Sequence, residues 1–452
     1  MSIDPSTRSR EREQTKEQDP AEEQAREKER PAGDDSERPL FALPEEYKPQ
    51  KRAAVERRIQ QAMEILAERK QILVLMHNDP DPDAIASGWA MEQLIRHYLP
   101  DANLTLGHGG LIGRAENRTM VKLFTPHLRH FARLEVTEGH ALDAFDAIVL
   151  VDTQPAAGNH LLYGTEIPLE RIVWAVDHHP PRRSQTRALV HDVRPEIGAC
   201  STLLAEYLAA VGLVPDAALA TALFYGIKSD TRGLSRQATP LDTWAYMATR
   251  NLADIELLNK IEQVRLPRSY FRSLSDALAN TTIYHCAAVS PNGTEEEPTP
   301  EEAGAASNPS PDEQERRNEA NGEENGIPPC EGDVTVSLLF DMTRPDMAAE
   351  VADLLMRLEN VSWAICLGIY EDRIVISVRT DVPDARAGRL VRSIVGRNGT
   401  AGGHDTMAGG RIHLPNATPA ERVAFLHNLV PRFLRALGVA DAHGDPLLKS
   451  RE

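Results

Sequence analysis

The residues in this chain best suited to chemistry are acidic and imidazole side chains that cluster directly after short apolar runs. His77-Asn78-Asp79-Pro80-Asp81-Pro82-Asp83 follows the run QILVLM, Asp152 ends the run DAIVLVD, and Asp177-His178-His179 closes the run RIVWAVD. Carboxylates packed so closely repel one another and resist ionising together unless a cation offsets them. Mixed carboxylate and imidazole donors suit Mn²⁺ or a similar borderline ion, whereas a zinc site more often brings Cys or a short His spacing. Two such ions roughly 3.5 to 4 Å apart can share a carboxylate and a hydroxide that attacks phosphorus, so phosphoester hydrolysis is the expected reaction. Taken singly, each cluster has a plainer reading: Asp83 reads equally well as a helix cap, and Asp152 or the His-His pair as ordinary structure. Their recurrence at one end of successive strands is what favours a shared site.

The elements that must position these residues are legible in the hydrophobic pattern. QILVLM (71–76), NLTLG (103–107), DAIVLVD (146–152) and RIVWAVD (171–177) read as buried strands, with helix-like segments such as AIASGWAMEQLIRHYL between them. That order predicts an α/β fold, a parallel sheet with helices on both faces, in which ligands bind beyond the carboxyl ends of the strands. From 333 to 440 the pattern runs strand, helix, two strands, helix and a Gly-rich turn, a smaller C-terminal α/β domain. Residues 1–45, rich in Glu, Arg, Lys and Gln, are expected to be a disordered charged tail. The expected division is then a metal-binding domain over 46–265, a linker over 266–280, a second domain over 281–440 and a tail over 441–452. An acidic run at 291–329 lies between TTIYHCAAV and DVTVSLLF, as an insertion at a hairpin tip would.

Composition narrows the function classes. A net charge of −18 over 452 residues argues against a coat protein for nucleic acid, which needs Lys and Arg to neutralise phosphates. Four cysteines, Cys200, Cys286, Cys330 and Cys366, are far apart and include no CxxC pair, which suggests neither a zinc site nor a disulfide framework. With no signal-like or membrane-spanning apolar stretch, a cytoplasmic location is expected.

HNDPDPDA, LVDT and VDHHP resemble the first three motifs of the DHH phosphoesterases, and FYGIKSDTRGLSR resembles the fourth. NGTAGGHDTMAGG (398–410) is similar to the Gly-Gly-Gly-His signature of the associated DHHA1 substrate-binding domain, with Ala401 in place of the first glycine. The resemblance implies two divalent cations, Mn²⁺ foremost with Mg²⁺ or Co²⁺ as alternatives. It implies His77, Asp81 and Asp152 on one ion, and Asp83, Asp152, His178 and Asp230 on the other, with Asp152 bridging. His179 would face the substrate phosphate and Asp177 would orient its neighbours, while Asp79 is not a ligand. Gly402, Gly403, His404 and Arg379 would grip the nucleotide. The implied substrates are short single-stranded RNA, 3′-phosphoadenosine 5′-phosphate, or cyclic and linear dinucleotides, with no membrane partner and a homodimer allowed. Inorganic pyrophosphatase and a nucleotide-sensing regulator are the competing readings. GGLIGRAENR (109–118) is equally a nucleotide contact or an ordinary loop, and HLRH (127–130) reads as a solvated helical face.

Overall fold

The computed structural model describes residues 41–165, 167–181, 188–286, 327, 332–396, 399–403, 405–439 and 443–448. Six apolar runs form one sheet: β1 (Gln71–Met76), β2 (Asn103–His108), β3 (Arg129–His130), β4 (Ala147–Val151), β5 (Ile172–Asp177) and β6 (Val190–Val193). All pairs are parallel, in the order β3-β2-β1-β4-β5-β6. Ile72, Val74 and Met76 of β1 point into one core and Leu73 and Leu75 into another, so the strand is apolar throughout because both faces are covered. The order doubles back at β1, whose neighbours are β2 on one side and β4 on the other, and such a switch point opens a crevice at the carboxyl ends of the strands.

Around this sheet lie α1 (Pro49–Ala67), α2 (Pro82–Tyr98), α3 (Ala115–Phe124), α4 (Arg133–Thr137), α5 (Cys200–Ala210), α6 (Ala217–Thr231), α7 (Pro240–Leu252), α8 (Ile255–Glu262) and α9 (Arg268–Ala279). The folded domain begins before residue 46. Phe41 is buried and its ring lies 5.7 Å from that of Trp244, so 41–45 belong to the core rather than to the charged tail. Residues 268–279, expected as linker, are the helix α9. HLRH is not helical: Arg129 and His130 are the two-residue edge strand β3.

The second sheet contains β7 (Thr281–His285), β8 (Asp333–Leu339), β9 (Val361–Tyr370), β10 (Arg373–Thr380), β11 (Gly399–Gly403), β12 (Met407–His413) and β13 (Gly444–Pro446). Their order is β11-β12-β10-β9-β8-β7-β13, with α10 (Met347–Leu355), α11 (Ala387–Val395) and α12 (Pro419–Ala436) packed against it. β7 and β8 are antiparallel, with His285 opposite Asp333, the pairing expected of strands flanking a hairpin insertion. The acidic run itself lies outside the described residues except for Ile327. Two corrections fall here. The Gly-rich segment is a hairpin, β11 with β12, rather than a turn. Part of the expected C-terminal tail is the edge strand β13, which pairs with β7 through backbone groups and so needs no apolar side chains to do so. Cys286, just past β7, is disulfide-bonded, which the wide cysteine spacing gave no reason to expect. Among the described residues no helix is long and apolar enough to cross a membrane.

Candidate metal centre

The crevice at the switch point gathers His77 from the end of β1, Asp81 and Asp83 from the start of α2, Asp152 from the end of β4 and His178 just past β5. Asp230 reaches it from the last turn of α6. Asp152 is the hub. His77 Nε2 lies 3.4 Å from Asp152 Oδ2, and His178 Nε2 lies 3.4 Å from Asp152 Oδ1. Asp81 Oδ1 is 3.9 Å from His77 Nε2, while Asp83 Oδ2 and Asp230 Oδ2 are 3.7 and 3.3 Å from His178 Nε2. His77, Asp81 and Asp152 therefore form one potential ligand set, and Asp83, His178 and Asp230 another, with Asp152 touching both.

Local chemistry explains why these donors face one point. His77 Nδ1 is 2.8 Å from the Asn78 carbonyl and His178 Nδ1 is 3.3 Å from the Ile197 carbonyl. A carbonyl can only accept, so each Nδ1 carries the proton and each Nε2 is turned to the centre with its lone pair free when the ring is neutral. Asp81, rather than Asp83, caps α2, its Oδ1 accepting from Ala84 N at 3.0 Å. Asp83 accepts from Cys200 N at 2.6 Å and Ser201 N at 2.7 Å, which places a buried carboxylate on the positive end of α5. Asp230 is positioned by close packing of α6: a Cβ on Gly226 would stand 3.2 Å from Asp83 Cα and 2.4 Å from Ser201 Oγ. Asp152 adopts φ +58°, a left-handed conformation that Asp tolerates better than most residues and that functional sites often hold.

The charge balance calls for cations. Burial and the charge of Asp230 raise Asp81 to about 6, and burial with the charge of Asp152 raises Asp83 well above the usual carboxylate range. Burial works against a charged His77, but Asp152 and Asp81 outweigh it and raise this imidazole to about 10. His178 is raised by the same contest, burial opposed by Asp152 and Asp230. Protons are thus drawn into a cluster of four carboxylates, Asp81, Asp83, Asp152 and Asp230, whose combined charge two divalent ions would cancel. Asp152 Oδ1 and His178 Nε2 are both buried without a hydrogen bond, as ligand atoms aimed at a cation would be. The donor set therefore fits divalent metal.

His179 forms a third potential metal-holding group with Asp152 and His178, its Nδ1 3.6 Å from Asp152 Oδ1. Its Nδ1 lies 2.7 Å from Asp177 Oδ1, and its backbone N donates to the same oxygen at 3.1 Å. The other Asp177 oxygen accepts from Gln154 Nε2 at 2.9 Å, so the fully buried Asp177 is held from two sides and in turn fixes the His179 ring. Burial opposes the charged form of His179, yet Asp177 and Asp152 raise its pKa. Gln154 follows the LVDT motif directly, and that position was its only signal in the sequence.

In the second domain Gly402 and Gly403 end β11; His404 lies outside the described residues. A Cβ at Gly402 would meet nothing within 4 Å, so the strand edge there is open to a ligand. Arg379 is engaged by Asp353, its Nε 2.6 Å from Oδ1, and Arg114 from the other domain holds the second oxygen of Asp353 at 2.7 Å. The GGLIGRAENR loop thus contributes a domain-spanning arginine and, through Asn117 Nδ2, a 3.2 Å bond to the Pro80 carbonyl of the metal loop. Asp79 is not among the ligands either. It accepts from Leu111 N at 2.6 Å and binds Arg411 of β12 at 2.7 Å. Nothing local to HNDPDPD could have revealed Arg411, 332 positions away.

A doubly wound parallel sheet with a carboxylate and imidazole cluster at its switch point defines an α/β protein whose clustered donors could hold divalent cations. Residues 71–227 match the profile of the DHH family, N-terminal domain, about a third of the chain. An uncharacterised protein of Methanocaldococcus jannaschii is 27% identical over 367 residues, which are 81% of this chain and 63% of the relative, so this chain spans less than two thirds of that relative's length. Among solved structures, an exopolyphosphatase-related protein of Bacteroides fragilis shares the fold with a TM-score of 0.56 at 14% identity, covering 85% of this chain and 98% of that one. A pGpG-specific phosphodiesterase of Vibrio cholerae aligns with 80% of this chain and 98% of its own at 11% identity, with a TM-score of 0.24, too loose a superposition to bear on function.

Proposed function

We propose that the protein is a metal-dependent phosphoesterase that hydrolyses phosphodiester or phosphomonoester bonds of short nucleotides. The observation that carries this reading is Asp152, whose two oxygens face His77 and His178 and so belong to both ligand sets at once. His77, Asp81 and Asp152 would hold one divalent ion, and Asp83, Asp152, His178 and Asp230 the other; Mn²⁺ suits this donor mixture. Bound ions would supply an acidified water as nucleophile and offset charge on the phosphoryl group.

The protein's own groups supply the rest. His179, with Nδ1 held by Asp177 and its pKa raised by Asp177 and Asp152 against burial, is the group that would donate a proton from Nε2 to a phosphoryl oxygen or to the departing alkoxide. Asp177 and Gln154 keep that ring in one orientation. Gly402 offers open backbone for a substrate that spans the cleft, Gly403 permits the tight approach to Met407 and Ala408 beside it, and Arg379 and His404 of the same domain would complete the grip. The test is to incubate the purified protein with Mn²⁺, or with EDTA, and a panel of pApA, five-mer RNA, 3′-phosphoadenosine 5′-phosphate, cyclic di-AMP and pyrophosphate. Nucleotide turnover that EDTA abolishes is expected. Turnover of pyrophosphate alone would overturn the nucleotide reading.

A further inference from the structure

The arginines lining the cleft between the domains fall into two groups. Arg114 and Arg379 pair with Asp353, Arg344 with Asp346 and Glu350, and Arg411 with Asp79. Among the described residues Arg232 and Arg236 have no such partner. They lie two and six positions after Asp230, where α6 ends, and among the described residues their side chains reach only one acceptor, the thioether of Met407 at the start of β12. Arg232 Nη2 is 3.6 Å and Arg236 Nη1 is 3.9 Å from Met407 Sδ. A thioether is a weak acceptor and each guanidinium carries five N–H donors, so nearly all of their capacity is unspent.

Charge of both signs surrounds them. Arg379 sits directly opposite Met407 in the β10 and β12 pairing, so three arginines converge on that residue. Burial disfavours the charged form of half-buried Arg236, Asp230 counteracts this, and Arg232 and Arg379 repel it. Arg379 is already paired with Asp353 and Asp230 attracts Arg236 only from beyond ion-pair distance, so Arg232 and Arg236 are the guanidinium groups left to take an anion. The group borders the ligand Asp230 on one side and, through Met407, the β11–β12 hairpin that carries Gly402 and Gly403 on the other.

We propose that Arg232 and Arg236 form an anion subsite that seats a second phosphate of the substrate, one that is not cleaved, so that the enzyme selects substrates carrying two or more phosphates. A guanidinium fork matches phosphate oxygens in pairs, and the flexible Met407 side chain can swing aside to admit them. The role in selection rests on the phosphoesterase reading; the anion site itself does not.

Two experiments separate these. In EDTA, where the metal site contributes nothing, inorganic tripolyphosphate should raise the Tm of the full-length protein, and Arg236→Ala and the Arg232→Ala/Arg236→Ala pair should lose most of that shift. Arg236→Lys, which keeps the charge but not the fork, serves if the alanine variants fail to fold, and should lose part of it. No shift in the wild type, or a full shift in the variants, overturns the subsite. In Mn²⁺, the wild type should favour pApA over ApA by about 10 to 100-fold in kcat/KM, chiefly through KM, and the preference should collapse towards unity in Arg236→Ala. An undiminished preference in the variant overturns the selection role. A wild type that turns over no nucleotide yet binds tripolyphosphate through these arginines sinks the phosphoesterase reading and leaves the subsite standing.

Discussion

Asp152→Asn is the substitution that most directly challenges the two-ion reading. The change keeps the side chain's size and removes one charge from a residue only 1% exposed. Asn tolerates the left-handed conformation as readily as Asp, so the φ of +58° adds no new strain. What is lost is one anionic oxygen facing each ligand set, through His77 on one side and His178 on the other. Charge-assisted interactions contribute about 1.5 to 3 kcal/mol each, so two of them amount to about 3 to 6 kcal/mol, or roughly 10² to 10⁴ in metal affinity. Turnover should fall at least as far, because the chemistry depends on both ions. Calorimetric titration with Mn²⁺ measures the affinity, nucleotide hydrolysis the turnover, and a circular dichroism melt verifies that the variant is folded. A folded variant that keeps more than about a tenth of wild-type turnover would refute the bridging role.

Two further expectations concern protons and packing. At pH 7.5 the metal-free His77, raised to about 10, is protonated, so Mn²⁺ must displace at least one proton on binding; below about pH 6 Asp81 adds a second, and affinity therefore rises with pH. Titrations in buffers of different ionisation enthalpy count these protons, and a count of zero at pH 7.5 would contradict the cluster's charge balance. Gly226→Ala sets a gain of about 1 kcal/mol in helix propensity against a Cβ placed 3.2 Å from Asp83 Cα, an overpacking cost of about 1 to 3 kcal/mol. The variant should melt no higher than the wild type and bind Mn²⁺ more weakly as Asp230 shifts. A clear rise in Tm with unchanged affinity would show that α6 has room to spare.

The sequence by itself determined the first sheet and the rim on which its acidic and imidazole residues gather. Buried parallel strands are apolar on both faces, so β1, β2, β4 and β5 announced themselves, and the polar residues ending β1, β4 and β5 had to emerge on one rim because parallel strands point the same way. The short edge strands β3 and β6 gave no such signal, having too few residues to show a period. Nor did β13, whose pairing rests on backbone groups. Which donors meet was a tertiary matter. The strand order brings β4 beside β1, which places a lone Asp152 between two potential ligand sets, and the close approach of α6 over Gly226 brings in Asp230. Only the folded chain decided that Asp81 caps α2 while Asp83 sits on the α5 terminus, and that Asp79 reaches Arg411. Hydrophobic pattern is written locally along the chain, whereas contacts between groups hundreds of positions apart depend on how finished elements pack, and no local pattern encodes that.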